Sequence, residues 1–303
     1  MRGLNLNNYS DAELLKKPIS SLVRGKVAPF IRYFRTRLIQ ELTNKNILIT
    51  PKIYCSTDWF CPDGEAGFAF PFYLVDERLK EVYLHYFYDL DGANEDEIMR
   101  LFRHEMAHVI DNVFGLRRLK KRQQIFGLTS KKYPSTYRPN LKSRDFVTNL
   151  GEGYGQSHPD EDWAETFSIW LSGEEPINCS EVAKEKYNYL SQVMAEKVVS
   201  IRPSKKPVSF LENVFKMDLS FDAFLMERKK DYQKEFGAFL SSHSKILEFI
   251  YREKSELKKS GLSKIIARNL YNCGDHFKQA PMNPTSLLEK RRFSLSKLDR
   301  IMM

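Results

Sequence analysis

From Asn94 to Gly115 the chain carries one unbroken helical pattern, and two histidines sit within it. Asn94 with Glu97 three residues later forms a start signal like a capping box. Ile98, Leu101, Phe102, Val109, Ile110, Val113 and Phe114 then recur at helical spacing up to Gly115. This predicts a buried amphipathic helix. Within it, "LFRHEMAHVID" places His104 and His108 four residues apart, hence on one face, with Glu105 beside them.

Two imidazoles one helical turn apart can reach a single ion, and a hydrolytic zinc site takes three protein ligands while keeping a fourth place for water. Glu105 is then the group that accepts a proton from that water. The third ligand must come from elsewhere, and "SHPDEDWAETFSIWLSG" offers four candidates: His158, Glu161, Asp162 and Glu165. Pro159 suits a first helical position, Asp160, Glu161 and Asp162 a first turn, and Gly173 an end. Glu161 and Glu165 share a face, whereas Asp162 points about a quarter turn away. Trp163, Phe167 and Trp170 imply a helix packed into a core, where carboxylates without partners are costly. The expectation is therefore Glu161 as the third ligand and Glu165 behind a zinc-bound histidine. His158 reads as a helix-entry residue and Asp160 as an answer to the helix dipole.

The rest of the chain yields coarser expectations. Residues 11–45 read as helical, kinked or divided by Pro18 and Pro29. "ILITPKIYCS", "GFAFPFYLV" and "EVYLHYFYDL" read as extended, with Gly67–Val75 at a sheet edge because of Pro71. Such an edge suits pairing with an extended substrate, so "TDWFCPDGEAGFAFPFYL" is expected as a substrate-side wall, with Trp59 and Phe60 in the core rather than in a specificity pocket. Residues 116–150 read as a long connection with a basic opening, and the chain from Glu181 as mostly helical. Four cysteines, Cys55, Cys61, Cys179 and Cys273, show no metal or redox spacing and suggest a reducing compartment.

Charge divides the chain. Residues 201–303 hold 21 Lys+Arg against 12 Asp+Glu, which equals the whole net charge of +9, so the first 200 residues are neutral. A basic tail of this kind can meet nucleic acid or an acidic partner. In "MERKKDYQKEF" and "YREKSELKKS", however, acids and bases interleave as on solvated helix faces. No apolar run is long enough for a membrane span and no export signal is visible, so the expectation is a cytoplasmic protein that does not engage a membrane.

"RHEMAHVIDN" and "YGQSHPDEDWAETFSIWL", with "DWFCPDGEAGFAFPFYL" upstream and "YRPNLKSRDFV" between them, resemble a bacterial family described as zinc-binding metallopeptidases. The resemblance is strong over about residues 55–171 and weaker at the flanks. It implies a zincin-like, gluzincin-type α+β fold with a mixed sheet beside the histidine helix and a mainly helical C-terminal region. The expected organisation is a metallopeptidase domain over 1–200 and a basic helical region over 201–303. "EDWAETF" is also similar to the helix of the anthrax lethal factor and Pro-Pro endopeptidase group. There the first glutamate binds zinc, the second backs a histidine, and a tyrosine seven residues before the ligand supports the oxyanion, which here implies Glu161, Glu165 and Tyr154. The expected activity is zinc-dependent hydrolysis of a peptide or isopeptide bond, with a peptide or protein as substrate. The rival readings are a zinc amidase acting on a non-protein amide and a binding protein that keeps the fold.

Overall fold

The computed structural model describes residues 3–87, 90–134, 139–140, 142–151, 153–198 and 212–230. Residues 1–84 and 90–221 form one compact unit; a second comprises 85–89 and 222–303, of which 85–87 and 222–230 are described and helical. The 201–303 region expected to be basic and helical therefore lies mostly outside the described residues, as does the boundary expected at 200–201. No helix among the described residues is long and apolar enough to cross a membrane.

The first unit is mostly helical, with a small parallel sheet. Residues 11–45 break into α1 (Asp11–Leu15), α2 (Ile19–Leu22) and α3 (Val27–Asn44). Pro18 divides the pattern as expected, capping α2. Pro29 does not, because it falls in the first turn of α3, where no intrahelical N–H is required of it. Strands β1 (Lys52–Ser56) and β2 (Gly67–Pro71) pair in parallel, Lys52 opposite Gly67 and Ser56 opposite Pro71. Gly67 is needed at this start, since a Cβ there would lie 2.3 Å from the Lys52 carbonyl oxygen.

The sheet is parallel rather than mixed and smaller than the sequence suggested, because β2 stops at Pro71, where Phe72–Val75 turn into a 3-10 helix, and two other segments do not join it. "ILIT" adds nothing regular to β1, and "EVYLHYFYDL" is not extended: its first seven residues lie in α4 (Glu77–Phe87). Leu79, Val82 and Tyr83, all buried, follow the helical period, which overrides the β preference of the aromatic run. Asp76 starts α4, accepting the Arg78 N–H at its side chain (2.9 Å) and the Leu79 N–H at its carbonyl (3.1 Å).

Nor is β2 an open edge. The Ala69 N–H donates to the Phe60 carbonyl at 2.8 Å, the Cys61 thiol reaches the Gly67 carbonyl at 3.4 Å, and all five β2 residues are buried. The loop between the strands folds back over the side of β2 that was expected to meet substrate. Trp59 packs edge-on against the buried Phe102 at 5.8 Å, but Trp59 and Phe60, expected in the core, are only half-buried at its margin.

The centre of the unit is the pair α5 (Glu95–Phe114) and α7 (Pro159–Ser172), which pack along one another. Asn94 caps α5 by accepting the Glu97 N–H at 3.0 Å, while Glu97 accepts the Ala93 N–H at 3.0 Å. Gly115 closes the helix with φ 65°. Below α5, Phe102 gathers Phe34 and Phe68 at 5.3 and 5.2 Å, tying α3 and the sheet to the histidine helix. Almost every residue of α7 is buried, so this helix runs through the core.

The basic stretch after α5 is not a loop. It forms a short 3-10 turn and α6 (Lys120–Phe126), and α7 and α8 (Glu181–Val193) follow further along the chain. Arg122, within that basic opening, is fully buried. Its guanidinium donates to Asp111 on α5 (2.7 Å) and Asp160 on α7 (3.0 Å), and Thr129 Oγ1 completes the Asp160 contact at 2.9 Å. Asp160 is thus a buried clamp residue, not an exposed answer to the helix dipole. Removing one member of a buried ionic group leaves the others uncompensated, at a cost of about 3–5 kcal/mol. Arg122→Ala is therefore expected to lower the free energy of urea unfolding by that amount; a loss within experimental error of zero would contradict the clamp.

Candidate metal centre

His104 and His108 leave α5 on the face turned toward α7, and Glu161 leaves α7 toward them. His104 Nε2 lies 2.9 Å from Glu161 Oε2 and His108 Nε2 lies 3.6 Å from the same oxygen. One ligating atom from each of the three residues falls within 4.8 Å of the others. Tetrahedral zinc with bonds of about 2.0–2.1 Å separates its ligand atoms by about 3.3 Å, so the two distances to Glu161 Oε2 bracket that spacing.

The remaining atoms of these side chains are held by the protein. His104 Nδ1 lies 3.1 Å from Glu165 Oε1; because that acceptor cannot donate as a carboxylate, Nδ1 carries the proton and Nε2 is left to face Glu161. Glu165 is fully buried, and its Oε2 accepts the backbone N–H groups of Asn149 and Leu150 at 2.8 and 2.9 Å. Glu161 Oε1 accepts the Tyr133 hydroxyl at 2.7 Å.

Electrostatics favour a cation at the convergence point. Burial disfavours a charged His104, but the hydrogen bonds its ring donates to Glu161 and Glu165 outweigh it and raise its pKa to about 10. His108 is raised in the same way, with Glu161 again overcoming burial. Burial would raise Glu161, yet the two imidazoles hold its carboxyl well below the usual range. Each shift has the same meaning: positive charge between α5 and α7 is stabilised there. A metal ion requires neutral imidazole nitrogens and an ionised carboxylate. It would replace the protons on Nε2 as the source of that charge, so the donor set fits zinc.

Glu105 stands beside this group, 6% exposed, and its Oε2 is buried without a hydrogen-bond partner among the described residues. Burial raises its pKa, partly offset by the two histidines. An unsatisfied buried carboxylate oxygen is costly unless a ligand or reactant completes it. Tyr154 begins a 3-10 turn just before α7, and its ring centroid lies 5.5 Å from that of His104. The structure therefore brings His104, Glu105, His108, Tyr154, Glu161 and Glu165 into one place.

The other two ligand candidates are engaged elsewhere. Asp162 points to Lys186 of α8 at 2.7 Å, and burial pushes its carboxyl up to about 7 despite that partner. His158 caps α7: Nδ1 accepts the Asp160 N–H at 3.1 Å and Nε2 donates to the Lys131 carbonyl at 3.0 Å, so both ring nitrogens are occupied. Tyr133 escaped the sequence reading. It lies 28 positions from Glu161 in an irregular segment, and no periodicity or spacing marks it.

Residues 96–226 match the model of a family whose description reads "Putative zinc-binding metallo-peptidase". The match takes in α5 from its second residue, α7 and every residue of the cluster, and begins after the β1–β2 region. No curated protein and no solved structure matches the chain.

Second contacts to a metal ligand typically change affinity 10–100-fold. Glu165→Gln is accordingly expected to weaken zinc binding by about that factor in competition with a chromophoric chelator. Glu161→Ala should abolish stoichiometric uptake, whereas His158→Gln should keep it. Retention in Glu161→Ala with loss in Glu165→Ala would reverse the two carboxylate roles.

Proposed function

We propose that this chain is a zinc-dependent metallopeptidase of zincin-like fold, with His104 Nε2, His108 Nε2 and Glu161 Oε2 as the protein ligands. The observation that carries the reading is the convergence of these three atoms beside the unsatisfied, buried oxygen of Glu105. The family matched by residues 96–226 supports it. When bound, zinc supplies Lewis acidity toward a carbonyl oxygen and lowers the pKa of a water.

The residues of the chain do the rest. Glu105 takes a proton from the attacking water as its oxygen bonds to the carbonyl carbon, then delivers that proton to the leaving nitrogen as the C–N bond breaks. Tyr154 donates its phenol hydrogen to the oxygen that gains negative charge. Glu165 keeps the His104 ring in one tautomer and one orientation. An extended peptide would have to displace Phe60 and Cys61 to pair with the outer side of β2. The substrate backbone is therefore expected to be aligned by other groups.

Cleavage profiling of a proteome-derived peptide library tests the proposal. Cuts should appear with wild type and vanish with chelator. Glu105→Gln should retain zinc and lose about 10²–10⁴-fold in kcat. Tyr154→Phe should retain zinc and lose about 10²–10³-fold, in kcat rather than KM. A zinc-loaded protein that cuts no peptide but consumes small amides would replace the peptidase reading with an amidase. Full activity in Glu105→Gln would remove the proposed base.

A further inference from the structure

The two oxygens of Glu161 have different surroundings. Oε2 faces both histidines, at 2.9 and 3.6 Å, while Oε1 faces away and is closed by the Tyr133 hydroxyl at 2.7 Å. Tyr133 is 57% exposed, so its placement does not follow from burial. It follows from a stack: its ring lies over the His158 ring at 3.8 Å, with 13° between the planes. His158 is itself fixed by its two hydrogen bonds, to the Asp160 N–H and the Lys131 carbonyl. A chain of contacts therefore runs from the start of α7, through an imidazole and a phenol, back to a carboxylate on the first turn of the same helix.

We infer that Tyr133 is a positioning residue that restricts Glu161 to binding through one oxygen, an inference that rests on the zinc reading above. A carboxylate can bind through one oxygen or through two, and two-oxygen binding fills an additional position around the ion. A hydrolytic site needs that position for water and substrate. A hydroxyl donating to a carboxylate oxygen makes a short, charge-assisted bond. Oε1 is thereby given a partner that competes with the metal, and Oε2 remains as the ligating atom. Tyr133 and Tyr154 thus have separate tasks. The first sets how Glu161 binds, and the second meets the reacting oxygen.

Tyr133→Phe removes the hydroxyl and keeps the ring that stacks on His158, so the fold is left in place. Two measurements need no turnover: zinc affinity by chelator competition, and the visible spectrum of the cobalt(II)-substituted protein, whose intensity falls as coordination rises from four to five. The expected result in Tyr133→Phe is zinc binding weaker by about tenfold or more together with a weaker cobalt spectrum. Tyr154→Phe should leave both unchanged while lowering kcat. Wild-type zinc affinity and cobalt spectrum in Tyr133→Phe would overturn the inference. Failure of the zinc reading would look different: wild type would take up no stoichiometric zinc, or His104→Ala would keep it, and the inference would fall with that reading.

Discussion

Ionised groups taken out of water must find one another, and this requirement organises the space between α5 and α7. His104, His108, Glu161 and Glu165 come from two helices, 57 to 61 positions apart in His104's pairs, and they meet with His104 and both carboxylates buried and His108 at the margin. Neither carboxylate would be tolerated ionised and alone at that depth. Together they shift each other's protonation so that positive charge is stable at one point. Packing of the two helices and readiness for a cation are therefore the same physical fact.

The surrounding structure serves to hold that arrangement still. Arg122 grips Asp111 and Asp160 and so ties α5 to the first turn of α7, where Glu161 lies. Asn149 and Leu150 direct backbone N–H groups at Glu165, and Tyr133 directs its hydroxyl at Glu161. All these partners come from the chain between α5 and α7. Among its described residues that connection has little regular structure beyond α6 and two short 3-10 turns, yet it supplies the second contact of both Glu161 and Glu165. On the other flank, Phe102 joins α5 to α3 and the sheet, fixing the histidine helix from below.

Much of this was legible from local pattern. The capped, amphipathic run from Asn94 to Gly115, the histidines four apart within it, and the Pro159–Gly173 bounds of the acidic helix depend on neighbours within a turn or two, where spacing maps directly onto geometry. Glu161 and Glu165 were separable from Asp162 for the same reason, one face of a helix against another. Where a local signal was ambiguous, the reading erred. The aromatic run "EVYLHYFYDL" has β-forming composition, but its apolar residues keep a helical period and it packs in α4. Pro29 reads as a break until it is counted into a first turn.

Sequence by itself determined where α5 and α7 start and stop and which of their ionisable residues share a face, because these are short-range consequences of backbone hydrogen bonding and a 3.6-residue repeat. Only the tertiary structure decided what each buried charge meets. Arg122 turned inward rather than to solvent because Asp111 and Asp160 arrive together from two helices. The outer side of β2 was closed by its own preceding loop. Tyr133 came to Glu161 through a stack on His158. Such contacts join residues far apart in the chain with no fixed spacing between them, so no period in the sequence encodes them.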